Sequence, residues 1–489
     1  MCRVSDKGKG LALGEGGNGL TLDSGSPPIA HETREASPID PRLESESSEW
    51  GHLRSNESVL GLNLKPERAK IMACPYNTML LGGWLRMLRT FWGELCFSPS
   101  ICLTLLLVTL CTCLTSMASF FENLFVWWTS GFREFKGNDR PVFILGHYRS
   151  GTTLLHNMLV LDDEQFSYSS NLQCLFPCNF RVMRRVGPAI QCMLPKTRPM
   201  DDVSLNLDLP QEDEYAMMIA TGGISPFLQF FFSQKSQQER LSKFLTFELC
   251  QERPSDPGHD VEDDVENSQA GTAACDPDDV EALKKWKSTW LTFLKKVAYD
   301  NHTRHGAGKK RLALKSPSHT ARIPLLLEAF PNAQFIFVHR DPYEVWNSTV
   351  AMVGAVNPIC RLTEVPTEED VASYVINQYK DMNRAYRETR HLIPEENLAE
   401  VKYRDLVDSP LLAMDEIYTK LRMGNPPIKE LAAYVEEQHR GFKKKKPRDL
   451  DDRVVRLLNK EWAEEFRSLG YTPRKVSSDT DGSSSSSGS

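Results

Sequence analysis

Apolar residues fall along the chain in three patterns, and each predicts a different element. Short continuous runs at 142–145, 311–315 and 334–338, rich in β-branched, aromatic or leucine side chains, predict buried strands. Apolar residues recurring every three or four positions predict helices. One runs onward from Leu154 (with Leu155, Met158 and Leu159), and others cover 209–220, 281–299, 323–330, 374–392 and 410–421; a further helix begins over 345–352. Between them, 166–180 reads as aromatic and cysteine-containing turns. The third pattern is a stretch from Cys96 to Phe121 with no charged residue, whose segment 101–121 comes close to the roughly 20 apolar residues that cross a bilayer. Ser98 and Pro99 form a cap and first-turn pair that opens this helix. Strands alternating with helices predict an α/β fold: a central, mainly parallel sheet flanked by helices, with ligands at the strand C-terminal ends and an apolar helix before the first strand.

This pattern divides the 489 residues. Residues 1–70 are rich in Gly, Ser, Pro, Glu and Lys and are expected to be disordered, as is the Ser-rich tail 475–489. The start has no charged-then-apolar leader pattern and is too acidic for an organelle transit peptide. Residues 71–140 form an apolar, membrane-associated helical region, and 141–474 form the main domain, interrupted by an acidic, disordered insertion at 253–279. Trp84 and Trp92 before the apolar stretch, and Trp127 and Trp128 after it, stand where interfacial aromatics would. Lys65, Arg68, Lys70, Arg86 and Arg89 precede it, whereas Arg133 and Lys136 are offset by Glu122 and Glu134, which points to a single-pass ER or Golgi protein with a lumenal domain. The other readings are a helix lying on the cytosolic face of a membrane, or one packed on the domain. The sequon Asn347-Ser348-Thr349 falls within a candidate site and weighs against the lumen.

The net charge of −7 provides no field for nucleic acid, so any anion site must be local. The 12 cysteines show no zinc spacing, and no metal site is expected. The local site is at 141–161, where strand, glycine-bounded turn and helix follow one another and direct loop amides at one spot. Gly146, Gly151, Thr152 and Thr153 have P-loop spacing, with Thr152 in the place of the lysine and Arg149 supplying charge inside the loop. In the stretch FIFVHRDPYEVWNSTV, Arg340 leaves a strand and Ser348 follows eight residues on, a guanidinium and a hydroxyl suited to a phosphate. RLALKSPSHTARIP delivers Lys315 and His319 to the same sheet edge, and VKYRDLVDSP places Tyr403 after a short apolar approach.

Together, HYRSGTTLLHNML, PQEDE, LKSPSHTARIP and HRDPYEVWNS resemble the sulfotransferase superfamily, in its broad bacterial and eukaryotic branch, over about 141–471. The resemblance implies a P-loop-like sulfotransferase fold and 3′-phosphoadenosine 5′-phosphosulfate as co-substrate. It implies that Tyr148, Arg149, Ser150, Gly151, Thr152 and Thr153 hold the 5′-phosphosulfate, that Arg340 and Ser348 hold the 3′-phosphate, and that Tyr403 lies near the nucleotide. Lys443–Lys446 are either a further 3′-phosphate contact or a solvated patch. The acceptor would be a hydroxyl on a lipid, glycan or small molecule. Transfer needs cations on the sulfuryl and leaving oxygens, Lys315 and Arg149, and a base, for which His319, Glu212 and Glu214 all remain candidates. The Lys-x-His spacing of the phenol-type branch does not hold here, since His319 is four residues from Lys315. The competing readings are a P-loop kinase or nucleotide hydrolase, and a catalytically dead membrane scaffold.

Overall fold

The computed structural model describes residues 75–128, 132, 135–138, 140–194, 197–198, 205–247, 276–305, 310–441 and 449–476. The predicted disordered segments at 1–70 and in the tail beyond Val476, most of the acidic insertion (253–275), and Lys443–Lys446 lie outside these residues.

The three predicted strands are present as β1 (Val142–Leu145), β3 (Arg311–Lys315) and β4 (Gln334–His339). Two more complete the sheet: β2 (Phe166–Ser167), where turns were expected, and β5 (Leu398–Lys402). All pairings are parallel, in the order β2-β3-β1-β4-β5, so the chain steps outward on both sides of β1. The loops leaving β1, β3 and β4 therefore share one edge, at the point where strand order reverses.

β1 is buried on both faces, which is why it reads as a continuous apolar run. Phe143 and Leu145 join a core with Leu314, Phe335, Phe337 and Trp290. Val142 and Ile144 face the opposite layer with Leu155, Met158, Ala313 and Val338. The helix expected at 209–220 is Asp213–Thr221, because Glu212 is still extended (φ −72°, ψ 123°). The helix expected from Glu281 begins at Pro277, with Asp278 and Asp279 in its first turn, so the last residues of the presumed insertion belong to it. Those two acids suit the positive end of the helix dipole.

The helix Pro99–Trp128 is long and apolar enough to cross a membrane, with a mean hydropathy of 2.2 over its most apolar 18 residues. Its polar side faces the protein. Thr115 Oγ1 donates to the Asn77 carbonyl at 3.2 Å, and Ser119 Oγ to that of Cys178 at 3.4 Å. Glu122 is buried, accepting from the Val182 N–H and pairing at 2.9 Å with Lys296 of the helix Pro277–His305. The helix Leu81–Phe91 lies against it, and Trp84 Nε1 donates to Thr109 Oγ1 at 2.9 Å.

Removing one partner of a buried ion pair strands the other charge, at a cost of about 3–5 kcal/mol. Glu122→Ala is expected to lower unfolding stability by about that amount, measured by denaturant titration, and the double substitution Glu122→Leu/Lys296→Met to recover most of it. Equal losses in the single and double variants would show that the pair contributes nothing beyond packing.

Candidate active site

The turn after β1 is shaped by what it passes. Gly146 has φ +139°, and a Cβ there would stand 2.4 Å from the Val338 carbonyl oxygen at the end of β4. Its N–H donates to Thr320 Oγ1 at 2.7 Å, tying the loop to the segment that follows β3. Gly151 has φ +105°, and a Cβ there would lie 2.3 Å from the ring of Tyr403. Arg149 adopts a left-handed φ of 66° between them, a conformation uncommon outside glycine. The helix Thr152–Leu159 then starts, and its first N–H groups have no acceptor within the helix.

Four predicted anion-binding residues meet over this loop. Arg149 Nε donates to Ser348 Oγ at 2.8 Å. Arg340 Nη1 donates to the Arg149 carbonyl at 3.2 Å, and its guanidinium lies 4.3 Å from the centre of the Tyr403 ring. Tyr403, at the exit of β5, is thus held between the Gly151 backbone and Arg340. Asp341, the acidic neighbour of Arg340, caps the helix Pro342–Cys360 by accepting from the N–H groups of Tyr343 and Glu344. Arg340 pairs with Glu344 instead, with Nε at 2.8 Å.

Lys315, at the C-terminal end of β3, is buried and reaches across to the loop, with Nζ 3.3 Å from Thr153 Oγ1 and in an ion pair with Glu212. Burial, opposed by the Glu212 carboxylate, leaves the Lys315 ammonium below the ordinary lysine range. The three adjacent acids of the PQEDE segment have different partners. Glu212 stands at the residue before the helix, its side chain 18% exposed and turned to Lys315 rather than onto the helix end. Asp213 is fully buried and accepts from Trp290 Nε1 at 2.7 Å and from His319 Nε2 at 2.9 Å. Burial alone would raise its carboxyl, yet His319 and Trp290 hold it below the usual carboxylate range. Glu214 is fully buried in an ion pair with Arg322. Of the three base candidates, His319 and Glu214 have side chains with no exposed surface, while Glu212 opens to the same side as Lys315 and Thr153.

Asp213 and Arg322 are partners that the sequence reading did not pick out. Both lie inside the quoted motifs, and the signal was an acidic triplet in one motif matched by basic residues in another. Buried acids need partners, so each of Asp213 and Glu214 called for one. Ser150 Oγ closes the loop on the His147 carbonyl at 2.7 Å, and Tyr148 packs against Phe227 and Phe230. Tyr148 OH and Ser316 Oγ are buried with no protein partner.

The sulfotransferase family profile matches residues 141–425, more than half of the chain. The chain belongs to the sulfotransferase family. The omega-hydroxy-beta-dihydromenaquinone-9 sulfotransferases Stf3 of Mycobacterium bovis and Mycobacterium tuberculosis are each 31% identical to it over 287 residues, 59% of this chain and 64% of theirs. This chain thus aligns with less than two-thirds of the length of those curated relatives. Sulfotransferase STF9 from Mycobacterium avium shares its fold with a TM-score of 0.53 and 15% identity, covering 90% of this chain and all of the other. STF1 from Mycobacterium tuberculosis superposes with a TM-score of 0.50 and 13% identity, covering 86% of this chain and 98% of that one.

Two predictions follow from the loop geometry. Gly151→Ala puts a methyl group into the Tyr403 ring at a positive φ, and is expected to cost about 1–3 kcal/mol in thermal or denaturant unfolding. Combining it with Tyr403→Ala should return only the steric part of that loss. His147, at the start of the loop, is buried with Nδ1–H donating to the Tyr148 carbonyl at 2.8 Å, and burial pushes it down to about 4 from 6.5. The folded state therefore resists its protonation, and the unfolded chain binds that proton first. This term is fully present above pH 6.5 and is lost as pH falls to about 4, a change of about 3 kcal/mol. Unfolding measured across that window should steepen with acid in the wild type and flatten in His147→Gln.

Proposed function

We propose that this sulfotransferase moves a sulfuryl group from 3′-phosphoadenosine 5′-phosphosulfate to the hydroxyl of a lipid alcohol. The observation that carries the donor assignment is Arg340. It turns back onto the loop, stacks on Tyr403 and shares the Arg149 backbone, while Arg149 itself reaches Ser348. A compound with phosphate at one end and phosphosulfate at the other would contact Arg340 and Ser348 with the first and the amides of 148–153 with the second. The residues fit such a group: side chains are missing at Gly146 and Gly151 where backbone must approach closely, and the buried hydroxyls of Tyr148 and Ser316 lack protein partners.

The donor supplies an activated sulfuryl group whose leaving group is a phosphate. Glu212 accepts the proton of the acceptor hydroxyl as its oxygen bonds to sulfur and the sulfur–oxygen bond to the phosphate breaks. Lys315, held by Thr153 and Glu212, and Arg149 stabilise the sulfuryl oxygens and the departing charge, a role of positioned electrostatics. His319 and Glu214 act through their pairs with Asp213 and Arg322, which fix the helix that presents Glu212. Two observations support a lipid acceptor: relatives named as sulfotransferases of a hydroxylated menaquinone, and the outward apolar face of the helix Pro99–Trp128.

Thermal-shift titration tests the donor. Adenosine 3′,5′-bisphosphate should stabilise the protein and ATP with magnesium should not; the reverse preference would favour a kinase. Calorimetry on Arg340→Ala should show roughly 10- to 100-fold weaker binding of the bisphosphate, the worth of a charge-assisted contact. Glu344→Gln, which frees Arg340 from its competitor, should bind at least as tightly as wild type. Glu212→Gln should keep donor affinity and lose roughly 100-fold or more in kcat. Unchanged affinity in Arg340→Ala refutes the 3′-phosphate assignment.

A further inference from the structure

The helix Pro99–Trp128 is turned inside out relative to a helix of a soluble protein. Its inward stripe carries Thr104, Thr112, Thr115, Ser119 and Glu122, all buried. Its outward stripe carries Leu106, Leu110, Leu114, Met117, Phe120 and Trp128, each 58–79% exposed. Glu122, the helix's one charged residue, is turned inward and paired, so nothing on the outer face is charged.

The hydroxyl groups are as telling as the leucines. Between Thr104 and Ser119 every one has an internal acceptor. Thr104, Thr109, Thr112 and Ser116 donate to helix carbonyls three or four residues back, and Thr115 and Ser119 donate to carbonyls of Asn77 and Cys178. A surface meant for water, or for a protein partner with a polar rim, would offer some of these groups outward. A surface meant for hydrocarbon must not. At the two ends stand exposed aromatics, the Trp92–Phe97 pair before the helix and Trp128 at its close, as at a membrane interface.

We infer that this helix docks the enzyme onto one leaflet of a lipid bilayer, lying along the membrane plane rather than crossing it. At about 1.5 Å per residue the buried stripe from Thr104 to Val126 runs roughly 33 Å along the domain, as long as a bilayer core is thick. A perpendicular span would carry the Glu122–Lys296 pair and the Cys178 and Val182 backbone into hydrocarbon with it. A tangential helix leaves that whole side in the protein and immerses the outer one. The inference does not depend on which donor or acceptor the site takes.

Flotation of the full-length protein with phosphatidylcholine–phosphatidylserine vesicles tests it. Wild type should float. The combined variant Leu106→Glu, Leu110→Glu and Leu114→Glu should partition about a hundredfold less while keeping its melting temperature and bisphosphate binding, because those side chains are mostly exposed. In sealed microsomes, tags at the N- and C-termini should be digested together or protected together. Tags on opposite sides establish a span and overturn the inference. So does a wild type that stays at the bottom of the gradient as a dimer, or flotation unaffected by the three glutamates.

Discussion

The site depends on how closely backbone approaches neighbouring groups at two glycines. Between β1 and the helix Thr152–Leu159, the chain must pass the last carbonyls of β4 and then slip under the Tyr403 ring, and both contacts are closer than any side chain permits. That steric demand sets the direction of the loop amides. It also brings together residues about 190 and 250 positions apart, since Arg340 leaves β4 and Tyr403 leaves β5 at the same edge. Arg340 can lie on Tyr403 only because Tyr403 has a flat, side-chain-free surface to rest on. The charge arrangement is thus a consequence of packing, with electrostatics acting on groups that sterics has already aimed.

Around this cradle the protein spends buried charge in pairs. Asp213–His319, Glu214–Arg322 and Lys315–Glu212 all connect the start of one helix to the end of β3 and the segment after it. Buried pairs are weak sources of net stability, and three consecutive acids each with its own basic partner fit a role in geometric specificity. The most accessible of the three, at Glu212, is the one beside the loop. The other two act as fixtures for its helix.

Much of this was legible in the sequence, for reasons that can be stated. β1, β3 and β4 are central strands buried on both faces, so they appear as unbroken apolar runs, and the loops after them carry the distinctive polar residues. β5 was missed because it is an edge strand: its buried Leu398, Ala399 and Val401 are interleaved with exposed Glu400 and Lys402, and five residues give too short an alternation. β2, two residues long, is defined by its pairing with Arg311 and Leu312 and has no pattern of its own. In the site, the spacing of Arg340 and Ser348 was visible, and so were Asp341 and Glu344 as two possible partners for Arg340, but the choice of Glu344 was not. It follows from Asp341 being used as a helix cap. The fates of Glu212, Asp213 and Glu214 were equally hidden, since three adjacent residues at a strand-like to helical junction point in three directions that only the tertiary neighbours distinguish.

The helix Asp213–Thr221 links the loop site to the helices at 81–128. Its N-terminal end presents Glu212 to Lys315. Its C-terminal end runs into Gly222, whose backbone meets that of Gly83 so tightly that a Cβ on either would collide with the other. Gly83 belongs to Leu81–Phe91, the helix that holds the apolar helix by Trp84 and Leu81. Nine residues of helix, about 14 Å at 1.5 Å per residue, therefore separate the candidate base from the helix on which the apolar helix rests. Arg86 and Lys285 both donate to the Thr221 carbonyl, satisfying the helix's C-terminal end and fixing that distance. Under the docking inferred above, this spacing would bring the site within reach of a hydroxyl at the end of a lipid chain that has only partly left the bilayer.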